Sequence, residues 1–328
     1  MKLRKLYYLM LIIPLLFFYT GCSDDETTEP PATVNEAEVL VKYLEANGDP
    51  VSKFPKMIKA SDVYTNILNG TDQYIIDIRS ADDFNKGHIQ GAVNVAAGEV
   101  LAHYEANNLQ NKPDGKVIIV CYTGQTAGWA NALLHMKGYT NARDLKWGMC
   151  SWNDTTAGAW KSNINNSRAA QFVTTATAKP AKGDLPKLDT GKKEGKDILD
   201  ARVDAVFAEG FGPVKVTSDA VYSNLAGYQI VNYWKESDYS WGHISGAMQY
   251  TPGSSLKLDA DLKTLSTDKP VAVYCYTGQT SAHVAAYLRA LGYDAKSILF
   301  GVNGMAYDDM PGTRFVPDSE IHDYPLVQ

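Results

Sequence analysis

Two cysteines stand in the same six-residue run: Cys121-Tyr122-Thr123-Gly124-Gln125-Thr126 and Cys275-Tyr276-Thr277-Gly278-Gln279-Thr280. Each follows an apolar run, Val117-Ile118-Ile119-Val120 or Val271-Ala272-Val273-Tyr274, and each leads into helical character over 127–136 or 281–291. A strand, a short glycine-bearing loop and a helix start make a concave nest of backbone N–H groups, backed by the positive end of the helix dipole. Gly124 and Gly278 allow the tight closure, and Thr126 and Thr280 are placed to cap the helix start. A thiol at such a nest is expected to have a lowered pKa. Its thiolate suits attack on a sulfane sulfur, giving Cys–S–SH, and later release of that sulfur to an acceptor: nucleophilic catalysis in two half-reactions. One cysteine after an apolar strand could equally be a packed core thiol. Two identical hexapeptides favour reactivity.

The elements that position these loops read as alternating strand and helix. Tyr74-Ile75-Ile76-Asp77-Ile78 and the runs before each cysteine are short and apolar, as in buried parallel strands. Stretches 36–46 and 197–209 add a helix ahead of each unit. The pattern predicts an α/β fold with a parallel central sheet flanked by helices.

The whole arrangement occurs twice. Residues 82–92, containing Gly87-His88-Ile89-Gln90-Gly91-Ala92, recur at 237–247 with Gly242-His243-Ile244-Ser245-Gly246-Ala247, and Gly138-Tyr139 matches Gly292-Tyr293. A near-constant spacing of this length means duplicated domains, not a solenoid. Residues 162–196 are rich in Thr, Ala, Lys, Gly and Pro and read as a linker. The expected organisation is a first domain over 36–161 and a second over 197–320.

The cysteine loops, the D-x-R at Asp77 and Arg79, and the G-H-I-x-G-A signature together resemble the rhodanese sulfurtransferase family. The resemblance covers most of 55–155 and 212–310. It implies two rhodanese-like domains and persulfide chemistry at Cys121 and Cys275. It further implies that Tyr122, Thr123, Gly124, Gln125 and Thr126, and likewise Tyr276, Thr277, Gly278, Gln279 and Thr280, form the substrate-binding loops. The implied partners are a small sulfur-containing anion or polysulfide as donor and a thiol or cyanide as acceptor, with no cofactor. The second repeat departs from the first by having Asn232 and Trp234 where the first has Asp77 and Arg79. Neither loop contains Arg or Lys, which argues against thiosulfate as donor, although Lys146 could supply charge from elsewhere.

Other signature residues read as structural. His88 and His243 sit in glycine-flanked turns and suit hydrogen-bonded support; Asp77 and Arg79 suit local contacts. Trp147-Gly148-Met149 and Asn303-Gly304-Met305 read as turns near the active face. Cys150 reads as a packed, inert thiol. No C-x-x-C pair or histidine cluster suggests zinc. A phosphatase would need arginine six residues after the cysteine, where Ala127 and Ser281 stand. The remaining alternative is a catalytically silent surface binding module.

The first residues resemble a bacterial lipoprotein signal peptide over 1–21. Lys2, Arg4 and Lys5 precede an apolar run shorter than a membrane span, and Thr20-Gly21-Cys22 closes it. Cys22 would then be lipidated, and 22–35 would tether the protein to a membrane surface of the cell envelope. The acidic Ser23-Asp24-Asp25-Glu26 resembles tags that direct lipoproteins to the outer membrane. With 31 basic and 37 acidic residues the net charge is −6, a poor match for nucleic acid.

Overall fold

A computed structural model describes residues 35–328. The signal segment, Cys22 and the acidic run after it lie outside the described residues. Strands β1 (Met57–Ile58), β2 (Tyr74–Asp77), β3 (Ala92–Asn94), β4 (Val117–Val120) and β5 (Ala142–Leu145) form a parallel sheet in the order β1-β5-β4-β2-β3. After β6 (Phe172–Val173) the second half supplies β7 (Lys215–Val216), β8 (Gln229–Asn232), β9 (His243–Ile244), β10 (Met248–Gln249), β11 (Val271–Tyr274) and β12 (Ala295–Ile298). All of these except β6 and β9 form a second parallel sheet, in the order β10-β8-β11-β12-β7. Read from its other edge, this order repeats that of the first sheet. The expected α/β class with parallel sheets flanked by helices is what the chain adopts.

The central strands are buried along their whole length, which is why apolar, largely β-branched runs occupy them. Register places Val120 beside Asp77 and Tyr274 beside Asn232. Each cysteine therefore emerges at the carboxyl end of a central strand, where open α/β sheets present their ligand crevice.

The helices that follow the cysteines run over Gln125–Met136 and Gln279–Ala290. They start two residues earlier than the sequence suggests, and this corrects the expected caps. Gly124 and Gly278 are the N-cap residues, at φ +82° and +75°, so Thr126 and Thr280 lie inside the first turn and cap nothing. The left-handed glycine swings the chain straight from loop to helix, a turn that costs other residue types more.

These two helices pack against each other along the seam between the halves. Gly128 makes the approach possible, because a Cβ there would come within 2.8 Å of the His283 ring. One apolar core crosses the seam, with Trp129 and Leu133 from one helix and Val284 and Leu288 from the other. The first helix among the described residues and the last residues of the chain cross it as well. The helix Glu36–Ala46 packs on Gly195–Glu209, while Val327 pairs with His88 and Pro325 accepts the Trp152 indole N–H at 2.9 Å. Within the 162–196 stretch, β6 pairs antiparallel with β9.

Candidate functional site

The two cysteine loops share a backbone but not a surrounding. Cys121 Sγ accepts from the N–H groups of Gly124 at 3.2 Å and Ala127 at 3.3 Å. The nest is real, yet the lowered pKa expected for this thiol is not what it has. Burial raises it, and the opposing amides of Ala127, Thr123, Gly124 and Thr126 only moderate the rise. Withdrawing a thiolate from water costs more than a few amide dipoles return.

Cys275 Sγ accepts from the Ser281 N–H at 3.3 Å, and two hydroxyls stand near it, Ser281 Oγ at 3.7 Å and Thr277 Oγ1 at 3.8 Å. Ser281 Oγ also donates to the Gly278 carbonyl at 3.1 Å and lies 2.8 Å from Ser297 Oγ. Both cysteines are almost closed off, at 5% exposure for Cys121 and 3% for Cys275.

Of the side chains expected in the binding loops, Gln125 and Gln279 reach across the seam. The Phe300 N–H donates to Gln125 Oε1 at 2.9 Å, and the Trp147 N–H donates to Gln279 Oε1 at 3.1 Å. The exchange is reciprocal, so each loop is pinned by the other half. It also explains the loop glycines a second time, because a Cβ on Gly124 would collide with the Gln279 carboxamide and one on Gly278 with that of Gln125.

Trp147 and Phe300 both hold left-handed backbone, at φ 65° and 61°, and each precedes a glycine that packs under the cysteine carbonyl. The second copy of the Trp147-Gly148 turn is therefore Phe300-Gly301. The signal was present in sequence: Leu145-Lys146-Trp147-Gly148 and Ile298-Leu299-Phe300-Gly301 share an aliphatic residue, a spacer, an aromatic and a glycine.

Around the first loop the charged pair is buried and complete. Arg79 donates through Nε and Nη2 to the Asp77 carboxylate at 2.7–3.0 Å, and through Nη2 to the Gly87 carbonyl at 2.8 Å. Its guanidinium lies 5.3 Å from the centre of the Tyr122 ring. The Trp160 indole N–H donates to the Thr123 carbonyl at 3.2 Å, and Trp160 packs with Trp147, Phe300 and Phe315 to roof the loop. Cys150 lies in the same cluster. It donates to the Thr156 carbonyl at 3.2 Å, and burial pushes its pKa up to about 12, as befits a packed thiol. His88 and His243 are support groups: Nδ1 of each bonds the carbonyl four residues back, at 3.0 and 2.9 Å.

Around the second loop, Asn232 donates to Tyr274 Oη at 2.9 Å in place of an ion pair. Trp234 stacks on Tyr276 with 4.7 Å between ring centres, and the Tyr276 hydroxyl donates to Asp238 at 2.5 Å. Here the loop opens on a cavity of about 560 Å³. Cys275, Thr277 and Trp234 line it from the second half, while Phe54, Met57 and Lys146 line it from the first.

The rhodanese-like domain family matches the chain at 59–155 and 185–306. An uncharacterized protein of Escherichia coli, YibN, is 36% identical over 115 residues, 35% of this chain and 78% of that protein. The thiosulfate sulfurtransferase GlpE of Shewanella oneidensis is 34% identical over 83 residues, 25% of this chain and 78% of that one. Among solved structures, a thiosulfate sulfurtransferase from Pseudomonas aeruginosa is similar at 16% identity and a TM-score of 0.31, over 90% of this chain and 49% of that chain.

Proposed function

The chain belongs to the rhodanese-like domain family, and on that premise we propose that it is a sulfurtransferase whose principal persulfide carrier is Cys275. The observation that carries this reading is the placement of Cys275 on the inter-half cavity, with an amide and two hydroxyls around its sulfur. In the first half-reaction the Cys275 thiolate attacks the outer sulfur of a donor. The donor's inner S–S or S–S(O) bond breaks, its remainder leaves with the electron pair, and Cys275 becomes Cys–S–SH. In the second, a thiol or cyanide takes the outer sulfur; cyanide leaves as thiocyanate and Cys275 returns to the thiol. The Ser281 N–H, which donates to the sulfur, stabilises the charge it carries at each stage.

Cys121, in the same loop type, is a second carrier that the Trp160 roof holds back. The test is cyanolysis of the full chain with thiosulfate and with polysulfide donors, read together with intact mass. Thiocyanate formation with a persulfide gain of about 32 Da on Cys275 supports the reading. If neither donor gives thiocyanate, the chain is a binding module that keeps the fold without turnover.

We further propose that the protein is anchored to the cell envelope, in the outer membrane, through acyl chains on Cys22. Labelled fatty acid should enter the wild-type protein and not Cys22→Ser; label retained in that variant refutes the anchor.

A further inference from the structure

The position of Arg79 is filled by Trp234 in the second half, and the exchange changes what a ligand meets. In the first half a fixed guanidinium stands beside the loop tyrosine. In the second a broad aromatic wall of Trp234 stacked on Tyr276 stands there, within a cavity also faced by Phe54 and Pro252. A small inorganic sulfur dianion has a handful of heavy atoms and is held by fixed cations or converging amides, with no use for a broad apolar wall. This cavity has the size range of drug-like organic ligands, about 300–1,000 Å³. It also holds an acid near the loop, Asp238, which engages the Tyr276 hydroxyl.

The available cations stand in the lining, one from each half. Lys146 is shared with Glu320 at 3.1 Å and lies 4.9 Å from the Trp147 ring centre. Lys235 is exposed and pairs with no carboxylate among the described residues. The buried indole N–H of Trp234 also lacks an acceptor among them.

Resting on the sulfurtransferase reading, we propose that the Cys275 cavity takes an organic persulfide whose apolar or peptide body lies on the Trp234–Tyr276 wall and whose carboxylate meets Lys235, in preference to thiosulfate. The step balances without further reactants. The Cys275 thiolate attacks the outer sulfur of R–S–SH, the S–S bond to R breaks, and R–S⁻ leaves with the electron pair. Cys275–S–SH forms with the proton kept on the transferred sulfur. The donor is reduced to a thiol as Cys275 is oxidised to a persulfide.

The experiment uses the full chain carrying Cys121→Ser, so that only one loop reports. Glutathione persulfide and thiosulfate are compared by the rate at which Cys275 gains about 32 Da in the intact mass. We expect the persulfide to be favoured at least ~10-fold in second-order rate. Lys235→Ala, at an exposed site that leaves the core intact, should raise the half-saturating concentration of glutathione persulfide ~3–10-fold without changing the limiting rate. Trp234→Phe should retain the preference and Trp234→Arg should move it toward thiosulfate. Equal or faster reaction with thiosulfate, or a Lys235→Ala protein that saturates as wild type does, overturns this proposal and leaves the sulfurtransferase reading standing. Failure of both donors to modify Cys275 overturns the sulfurtransferase reading itself.

Discussion

The same six residues give two different sulfurs. Around Cys121 the loop amides converge, a buried ion pair braces the strand end, and the Trp160 indole caps the loop from outside. Around Cys275 a single amide donates to the sulfur with two hydroxyls nearby, an aromatic stack replaces the ion pair, and the loop opens on a cavity. The residue six places after each cysteine, Ala127 or Ser281, accounts for one of those hydroxyls. Most of the remaining difference comes from residues far away in sequence. A nest of amides is thus a common frame, and what lies over it decides whether substrate arrives.

The largest test of this contrast is removal of each nucleophile. Cys275→Ser should lower sulfur transfer at least ~10⁴-fold, as loss of a covalent nucleophile does, while Cys121→Ser should stay within ~3-fold of wild type. Equal losses in a thiocyanate assay would break the asymmetry. Next comes the ion pair. Asp77→Ala strands a buried guanidinium and should cost about 3–5 kcal/mol in urea unfolding, whereas Asn232→Ala, which removes one neutral hydrogen bond, should cost about 1 kcal/mol. If the two variants unfold at the same urea concentration, the strand ends are braced alike.

Chemical access sharpens the comparison further. Because burial raises the Cys121 pKa, its thiolate is scarce at neutral pH and grows only as pH climbs beyond the usual thiol range. Iodoacetamide at pH 7.5 should therefore label Cys121 at least ~10-fold more slowly than a free thiol. Trp160→Ala should accelerate that labelling by opening the roof. Rapid labelling in wild type would show that the roof does not hold. The smallest effect belongs to the crossed glutamines. Gln125→Ala and Gln279→Ala should each cost about 1 kcal/mol, for one interfacial hydrogen bond. Their double variant should cost less than the two single effects combined if they act as one clasp.

Much of this was legible in the chain itself. The period of the repeat, the apolar runs at β2, β4 and β11 and the strand–loop–helix grammar around each cysteine depend on local propensity and patterning, which a sequence carries openly. The loss of the Asp77–Arg79 pair in the second half was equally plain, as was the supporting role of His88 and His243. The helix starts were misplaced because a left-handed glycine cap announces itself less clearly than a threonine does. The second aromatic–glycine turn, Phe300-Gly301, escapes notice because its match to Trp147-Gly148 lies in residue class, not identity.

What the sequence determined alone was the frame: two parallel α/β sheets, each presenting a cysteine on a loop that leads into a helix, since strand and helix patterning and loop closure follow from contiguous residues. What only the tertiary structure decided was the character of each site. Trp160 over Thr123, Phe54 and Lys146 in the Cys275 cavity, and Gln125 and Gln279 exchanged across the seam join residues tens to hundreds of positions apart. Desolvation and access are set by such neighbours in space, and one-dimensional pattern holds no record of them.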